Sequence, residues 1–163
     1  MIVETSRFGP VEVEDGLAIT FSSGILGFPG YRDYVLIQPS EGSYFYWLQA
    51  IEDPTLAFVV ADPSDFIPTY RVSLRPEQMQ DLELNSLEEA QVFVIVNKRE
   101  ETLTGNLQGP LVINVTTRTG TQLVLSDRRY TTCVPLVEMR RPVEAMVASG
   151  TSEVSERTPA VVA

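Results

Sequence analysis

The sequence predicts an all-β, mainly antiparallel fold: a small barrel-like single domain with one short helix and a disordered C-terminal tail. Short segments rich in Val, Ile, Phe, Tyr and Thr recur between Gly, Pro, Asp and Ser at intervals of about ten residues, as in all-β domains. One interval is rich in helix formers instead. Beyond Leu136 the composition shifts to Ser, Thr, Glu, Ala and Pro. We therefore assign residues 1–138 to the barrel domain and residues 139–163 to the tail.

Ten segments have the composition of short strands, and so many in one domain are typical of a closed or partly open antiparallel barrel, or of a sandwich. Two of them, Phe58 to Ala61 and Val92 to Val96, are nearly all apolar, which indicates strands covered on both faces. The predicted strands are Ile2 to Thr5, Val11 to Val13, Leu17 to Phe21, Tyr34 to Gln38, Tyr44 to Ile51, Leu56 to Ala61, Tyr70 to Leu74, Gln91 to Lys98, Leu111 to Thr116 and Gln122 to Leu125.

The interval from Arg75 to Ala90 predicts the one short helix. Pro76 suits a first helical turn, and strong helix formers follow it. Ser86 with Glu89 three residues later matches a capping box, so a second short helical turn is expected before the next strand. The side chains expected to face the sheet are Met79, Leu82 and Leu84.

The tail has no lasting apolar period of two or 3.6 residues. Such a segment buries too little apolar surface to offset the entropy of ordering, so we predict that it is disordered. No apolar run approaches the roughly 18 residues that span a bilayer, and the first residues lack the basic and then apolar order of a signal peptide. The expected location is the cytoplasm.

Charge and composition argue against several function classes. The 22 acidic and 12 basic residues give a net charge of -10, which disfavours nucleic acid and attracts basic partners. The chain has no histidine, the commonest general base and zinc ligand. Its single cysteine, Cys133, cannot form an internal disulfide and has no histidine to activate it, so we interpret it as a small apolar residue.

Two motifs offer candidate contacts for a partner. The motif ITFSSGILGFPGYRDYVLI has three glycines and a proline between two strands. Its apolar side chains either fill the end of the barrel or leave Phe28 on the surface as a contact point. In the motif YFYW, Phe45 and Trp47 share one strand face, while Tyr44 and Tyr46 share the other. Core filling explains the first face, and the tyrosine face is either exposed to solvent or an interface, where tyrosine is enriched.

The third motif, GNLQGPLVIN, surrounds a Gly109-Pro110 turn with amide side chains, which either satisfy backbone groups or contact a partner. Acidic residues gather in the helical interval, where they form either a solvated face or a field that acts on a basic partner. The partner-binding candidates from all of these motifs are Phe28, Tyr46, Asn106, Leu107, Asn114, Glu77, Asp81, Glu88 and Glu89.

The order and spacing of the motifs carry a family resemblance. The matching positions are Phe21, Gly24, Gly27 and Phe28, then Ala57, Phe58, Asp62 and Pro63, then Asn106, Leu107, Pro110, Ile113 and Asn114, and last Gln122, Leu125 and Tyr130. Over residues 1 to about 136 the sequence thus resembles the FliW family of flagellar assembly factors. The tail departs from what we expect of that family, so no function is transferred to it.

The resemblance implies a β-barrel-like protein, monomeric when free, with no catalysis and no cofactor. It implies two protein partners: members bind flagellin and, once flagellin is exported, bind the translational regulator CsrA away from its RNA surface, which stops CsrA repressing flagellin translation. The net charge of -10 and the lack of a long apolar run predict no direct contact with nucleic acid or membrane. Two other classes stay open. A small-ligand-binding β-barrel predicts a roomy apolar interior, and an Asp/Glu-dependent hydrolase predicts paired carboxylates in a cleft with pKa values driven apart.

Overall fold

The computed structural model describes residues 1–138 and 160–162. One α-helix, α1 (Pro76–Asp81), and two 3-10 turns, Pro63–Asp65 and Leu87–Glu89, accompany the strands. The strands are β1 (Ile2–Thr5), β2 (Gly9–Glu12), β3 (Ile19–Phe21), β4 (Asp33–Gln38), β5 (Phe45–Ala50), β6 (Ala57–Ala61), β7 (Ala90–Arg99), β8 (Thr102–Gly105), β9 (Leu111–Asn114), β10 (Thr119–Gln122), β11 (Val134–Glu138) and β12 (Ala160–Val161).

Seven strands close into a barrel in the order β7, β6, β5, β4, β3, β10, β9 and back to β7. All of these pairs are antiparallel except β3 with β10, which run parallel. Closure is possible because β7 is long: its first half pairs with β9, and its last residues pair with β8 on the same edge. The predicted barrel is confirmed, with β8 and β11 added outside the ring.

Alternating side chains fill the barrel and also cover its outside. On β4, Tyr34 and Leu36 pack in the interior, whereas Val35 and Ile37 pack outside against the β1–β2 hairpin. A strand covered on both faces needs apolar residues at successive positions, which explains the imperfect alternation of the sequence. The interior is filled by large side chains, among them the fully buried Phe21, Tyr34 and Leu48.

The predicted helix is confirmed as α1, which begins at Pro76. The Arg75 backbone N–H donates to Gln78 Oε1 at 2.8 Å and so caps the helix start. As expected, Met79, Leu82 and Leu84 pack toward the barrel, together with Val112 and Leu123. The capping box predicted at Ser86 is wrong, since the Ser86 side chain caps nothing and the Glu89 carboxylate instead accepts the Asn85 N–H at 2.7 Å.

The strand predicted from Tyr70 to Leu74 is wrong, although the segment is placed against the barrel. Its side chains pack on the outside, and the Tyr70 hydroxyl donates to the Leu107 carbonyl at 2.7 Å. The neighbouring edge of β7 is already paired with β9 and β8, so it has no free backbone groups with which this segment could form a strand. The strand predicted from Gln122 to Leu125 is shifted, since β10 ends at Gln122 and the chain beyond it bonds to Pro110 and Gln108.

The predicted tail falls mainly on residues 139–159 and 163, which lie outside the described residues. At residues 160–162 the structure differs from the prediction of disorder, because β12 pairs antiparallel with β4. Val161 and Val162 supply the reason, since one packs against the cluster under the β1–β2 hairpin and the other against the barrel interior. Within residues 1–138 and 160–162, no helix is long and apolar enough to cross a membrane.

Removal of residues 139–163 is expected to leave the barrel folded and to lower its free energy of unfolding by about 1 to 2 kcal/mol. This loss is the stabilisation gained by burying two partly covered valines, reduced by the entropy cost of ordering them. Urea denaturation of the full and shortened chains measures this difference. A shortened chain that fails to unfold cooperatively would show that the barrel requires its C-terminal strand.

Candidate partner-binding groove

Two of the residues nominated from the sequence have side chains that cannot contact a partner in this conformation. Asn114 and Leu107 are only 2% and 1% exposed. Asn114 Nδ2 donates to the Leu82 carbonyl at 2.8 Å, and its Oδ1 accepts the N–H groups of Thr116 and Thr117 at 2.9 and 3.2 Å. The nomination of both residues as direct contacts is therefore corrected: Asn114 ties the chain after α1 to the β9–β10 turn.

Tyr46 also differs from its prediction as an outward-facing residue. Its ring packs edge-on against Phe93 with 5.7 Å between centroids, at the mouth of the barrel. It is half-buried and lines a small cavity there rather than an outer face of the sheet. The inward face of β5 thus includes Tyr46, while Trp47 packs outside under the β1–β2 hairpin.

The glycine-rich loop after β3 and the turn containing Asn106 are joined by one glutamine side chain. Gln122 Oε1 accepts the Leu26 N–H at 2.9 Å, and Gln122 Nε2 donates to the Gly109 carbonyl at 3.0 Å. The Gly109 N–H in turn donates to Asn106 Oδ1 at 2.9 Å. Asn106 therefore positions this turn, and two of the motifs lie side by side through Gln122.

Beside this junction lies an open groove of about 560 Å³ between α1 and β10. Leu26 and Val124 are 64% and 68% exposed, one next to the groove and one in its lining, so they offer apolar contact points at one side. The other side is polar and carries Arg75, directly before α1, and Asp81 at the end of α1. We call this the Gln122 groove; its lining residues used below are Ser22, Gln78, Asp81, Leu82, Gln122 and Val124.

Phe28 lies at the end of the loop that borders the Gln122 groove. It is 37% exposed, and its ring packs edge-on against Phe58 with 5.2 Å between centroids. Gly24 holds the loop in place, since its φ is +68° and a Cβ there would lie 2.7 Å from the Phe28 carbonyl oxygen. Phe28 is thus both anchored and partly available at the surface.

The four nominated acids lie on one stretch of surface around α1 and the second 3-10 turn. Glu77, Asp81 and Glu88 are exposed, and Glu89 is half-buried and accepts the Asn85 N–H. The ion pairs found in residues 1–138 and 160–162 are Met1 with Asp15 and Arg129 with Asp127, so none of the four acids has a cationic partner there. Only Asp81 also lines the Gln122 groove.

The barrel mouth is the other place where ionisable groups gather. Burial, and secondarily the charge of Asp62, raises the pKa of Asp65. Asp62 itself is occupied, because it accepts Ser64 and its other oxygen accepts Gln91 Nε2 at 3.0 Å. This arrangement caps a 3-10 turn and leaves Asp62 poorly placed to act as a free base, which weakens the hydrolase alternative.

The small-ligand alternative requires an open interior, yet the barrel interior is packed with side chains. Deep inside, burial raises the pKa of Tyr34 to about 12, with smaller contributions from Glu52 and Tyr31. The cavity at the barrel mouth is only about 200 Å³, below the 300 to 1,000 Å³ common for ligand pockets. In the part of the chain that the structure describes, no group of three potential metal ligands occurs.

Fold and surface together define a class: a filled seven-stranded β-barrel domain with a groove and an acidic face on its outside. The model of the FliW protein family matches residues 2–136. A flagellar assembly factor FliW from Bdellovibrio bacteriovorus is 38% identical over 138 residues, 83% of this chain and 79% of that protein. One from Geotalea uraniireducens is 39% identical over 140 residues, 85% of each chain.

A solved structure supports the same assignment. The crystal structure of a flagellar assembly factor FliW superposes with a TM-score of 0.78 at 30% identity, covering 86% of this chain and 99% of that one. This chain belongs to the FliW family of flagellar assembly factors.

Three residues in or beside the Gln122 groove were not predicted as site candidates from the sequence: Leu26, Gln122 and Val124. Gln122 was available as one of the matching family positions, but a glutamine at the end of a strand does not reveal that it joins two loops. Leu26 and Val124 look like core residues in an apolar segment. Their exposure follows from the positive φ of Gly24 and Gly27 and from the end of β10 at Gln122.

Proposed function

We propose that this chain is a cytoplasmic, non-enzymatic regulator that binds flagellin and, when flagellin is exported, binds CsrA and relieves its repression of flagellin translation. Membership of a family of flagellar assembly factors supports the process. The observation that carries the molecular role is the acidic face beside the Gln122 groove, because an RNA-binding protein has a basic surface that such a face attracts.

The two parts of the surface have different roles in this proposal. Leu26, Phe28 and Val124 supply apolar contact, which gives most of the affinity of an interface. The acids around α1 accelerate encounter with CsrA and place negative charge near its RNA, so that RNA dissociates. Flagellin binding uses the same apolar loop, which makes the two partners alternatives.

Reversing the four acids in the variant E77K/E88K/E89K/D81K is expected to slow association with CsrA about tenfold at low salt, because attraction between unlike charges raises the association rate. The difference should shrink as salt screens charges beyond about 8 Å. Stopped-flow association at several salt concentrations measures this, beside an RNA competition assay in which the variant displaces RNA less well.

The matched control is the variant E4K/E12K/E14K/E41K, which changes the net charge by the same amount. Its four exposed acids lie in or directly after the β1–β2 hairpin and in the loop between β4 and β5. This control should keep most of the RNA displacement. If association does not depend on salt and displacement is the same in both variants, the acids around α1 are only a solvated face.

Phe28→Ala is expected to weaken binding of both partners by about tenfold or more, since buried aromatic anchors dominate interfaces. Titration calorimetry with CsrA and with flagellin measures the loss. The control is Tyr44→Ala, an exposed aromatic away from the Gln122 groove. Equal effects of the two substitutions would contradict the assignment of the contact surface to the loop after β3.

A further inference from the structure

The edge of β4 has an opening that the C-terminal strand fills. Along this edge β3 pairs only with Asp33 and Tyr34, because β3 begins at Ile19, opposite Tyr34, and the chain before it does not pair with β4. The rest of the edge pairs with β12, with Ala160 opposite Gln38 and Val161 opposite Ile37. Val162 continues the pairing, because its N–H donates to the Leu36 carbonyl at 2.8 Å. A sheet edge that offers unpaired backbone groups at this point can take any extended segment.

The opening has an apolar pocket on each face of the sheet. Val161 packs outside with the cluster that contains Ile37 and Trp47. Val162 packs inside and lines the cavity at the barrel mouth with Tyr46 and Phe93. An extended strand places successive side chains on opposite faces, so two successive apolar residues occupy both pockets at once.

The fit of Val162 is incomplete. A cavity of about 200 Å³, open to solvent, remains beside it, so a longer apolar side chain at this position has space to fill. The cavity is also lined by Asp62, Asp65 and Arg118, and neither carboxylate forms an ion pair within residues 1–138 and 160–162. A segment with a larger apolar residue and a nearby basic residue therefore suits this place better than residues 160–162 do.

Arg118 supports the same conclusion from the other side of the cavity. Its guanidinium donates to the Leu17 carbonyl at 2.7 Å, but only at 3.5 Å to the Val162 carbonyl. Its Nε is buried without a hydrogen-bond partner among the described residues. A buried donor without a partner is costly, so a strand whose carbonyl groups approach Arg118 more closely gains a hydrogen bond that the resident strand makes poorly.

The resident strand is also a weak element. It has only two paired residues, and residues 139–159 separate it from β11. Each backbone hydrogen bond contributes only about 1 kcal/mol net, and an element with so few of them opens at low free energy. Its departure leaves the seven strands of the barrel paired.

We propose that the β4 edge at Leu36 to Gln38 is a docking site for an extended segment of a partner protein, and that residues 160–162 are a resident occupant which this segment displaces. The segment pairs with β4 by strand addition, places a residue larger than valine in the cavity at the barrel mouth, and carries a basic residue for Asp62 and Asp65. This inference goes beyond the proposed function and does not depend on which protein supplies the segment.

The test uses fluorescein-labelled peptides and the full-length chain. The parent peptide, RTPAVVA, has the sequence of residues 157–163, and a second peptide has leucine at the position of Val162. In the full-length variant V161D/V162D the resident strand is displaced, and the parent peptide should bind with at least about tenfold higher affinity than it binds the unsubstituted chain, since an occupied site lowers apparent affinity. The leucine peptide should bind more tightly than the parent.

The matched control is Ile2→Asp, which places a charge at an exposed apolar residue outside this site and should bind peptide like the unsubstituted chain. Equal affinity of the parent peptide for V161D/V162D and for the unsubstituted chain, or no binding to either, would overturn the proposal. A leucine peptide that binds no better than the parent would overturn the role of the cavity.

A second measurement avoids any substitution. In the unsubstituted chain, saturating leucine peptide should speed hydrogen exchange of the Val162 amide, while amides between β4 and β5 keep their protection. If the Val162 amide stays protected, or exchanges only when the whole barrel unfolds, residues 160–162 are a fixed part of the sheet and the proposal fails.

Discussion

Gly24→Ala is expected to lower the free energy of unfolding by about 2 to 4 kcal/mol and to weaken binding of both proposed partners. Position 24 has a φ of +68°, which costs an L-residue about 1 to 2 kcal/mol. An added Cβ would also lie 2.7 Å from the Phe28 carbonyl oxygen and 2.7 Å from Pro29 Cα. Both are backbone atoms, so the loop itself must move, and overpacking of this kind costs about 1 to 3 kcal/mol more.

Urea denaturation and calorimetric titration of the same protein separate the two effects of Gly24→Ala. Gly30→Ala is the matched control, because the φ of position 30 lies outside the left-handed region and no atom lies within 4 Å of an added Cβ. It should change stability by less than about 1 kcal/mol. Full binding by a destabilised Gly24→Ala variant would show that the position of Phe28 does not matter for the partners.

Asn114→Ala is expected to lower the free energy of unfolding by about 2 to 3 kcal/mol without a direct effect on binding. The substitution removes the partner of the Leu82 carbonyl and of the N–H groups of Thr116 and Thr117. Buried polar groups left without a partner cost about 1 to 3 kcal/mol, and the bond to the Leu82 carbonyl is buried. Thermal and urea unfolding measure the loss.

Asn97→Ala is the control for Asn114→Ala, since Asn97 lies exposed on β7 and should change stability by less than about 0.5 kcal/mol. Binding is then measured at a temperature where both variants are folded. A folded Asn114→Ala variant with unchanged stability but weaker binding of CsrA would restore Asn114 as a direct contact, against its 2% exposure.

The barrel could be predicted because its strands carry their own signals in composition and in the turns between them. The edge strands were not predicted, and the reason lies in particular residues. Pro135 lies in β11, where the register shifts between Pro135 and Val137, and proline in a strand is tolerated at such edges and bulges. Gly105 in β8 looks like a turn residue, yet a Cβ there would lie 3.0 Å from Leu136 Cδ1 of β11.

The opposite error was made at Tyr70 to Leu74, where a strand was predicted but none forms. This segment has the composition of a strand but does not pair with a neighbouring strand. Composition reports how well a segment packs on a sheet, whereas pairing depends on which edges the topology leaves open. β12 illustrates the same limit, because Val161 and Val162 have a place beside β4 only since β3 begins at Ile19 and pairs with no residue of β4 beyond Tyr34. No local property of the sequence contains that information.

The candidate site was predicted in part. Its acidic residues were predicted from their charge and their position in the helical interval. Phe28 was predicted because it lies in a glycine-rich loop between two strands. The sequence could not assign Asn106, Leu107 and Asn114 to the core or to the contact surface. An amide or a leucine near a turn has the same sequence signal whether it faces the core or a partner. The hydrogen bonds of Gln122, which bring the Phe28 loop beside the Asn106 turn, depend on contacts across 96 residues of chain.

A hydrogen-exchange footprint of the full chain with CsrA and, separately, with flagellin tests the proposed contact surface most directly. We expect protection in residues 22–30, 76–82 and 119–124, which border or line the Gln122 groove, with the apolar loop protected by both partners. Protection confined to the β1–β2 hairpin would contradict this expectation. So would a lack of protection in these three segments with each of the two partners.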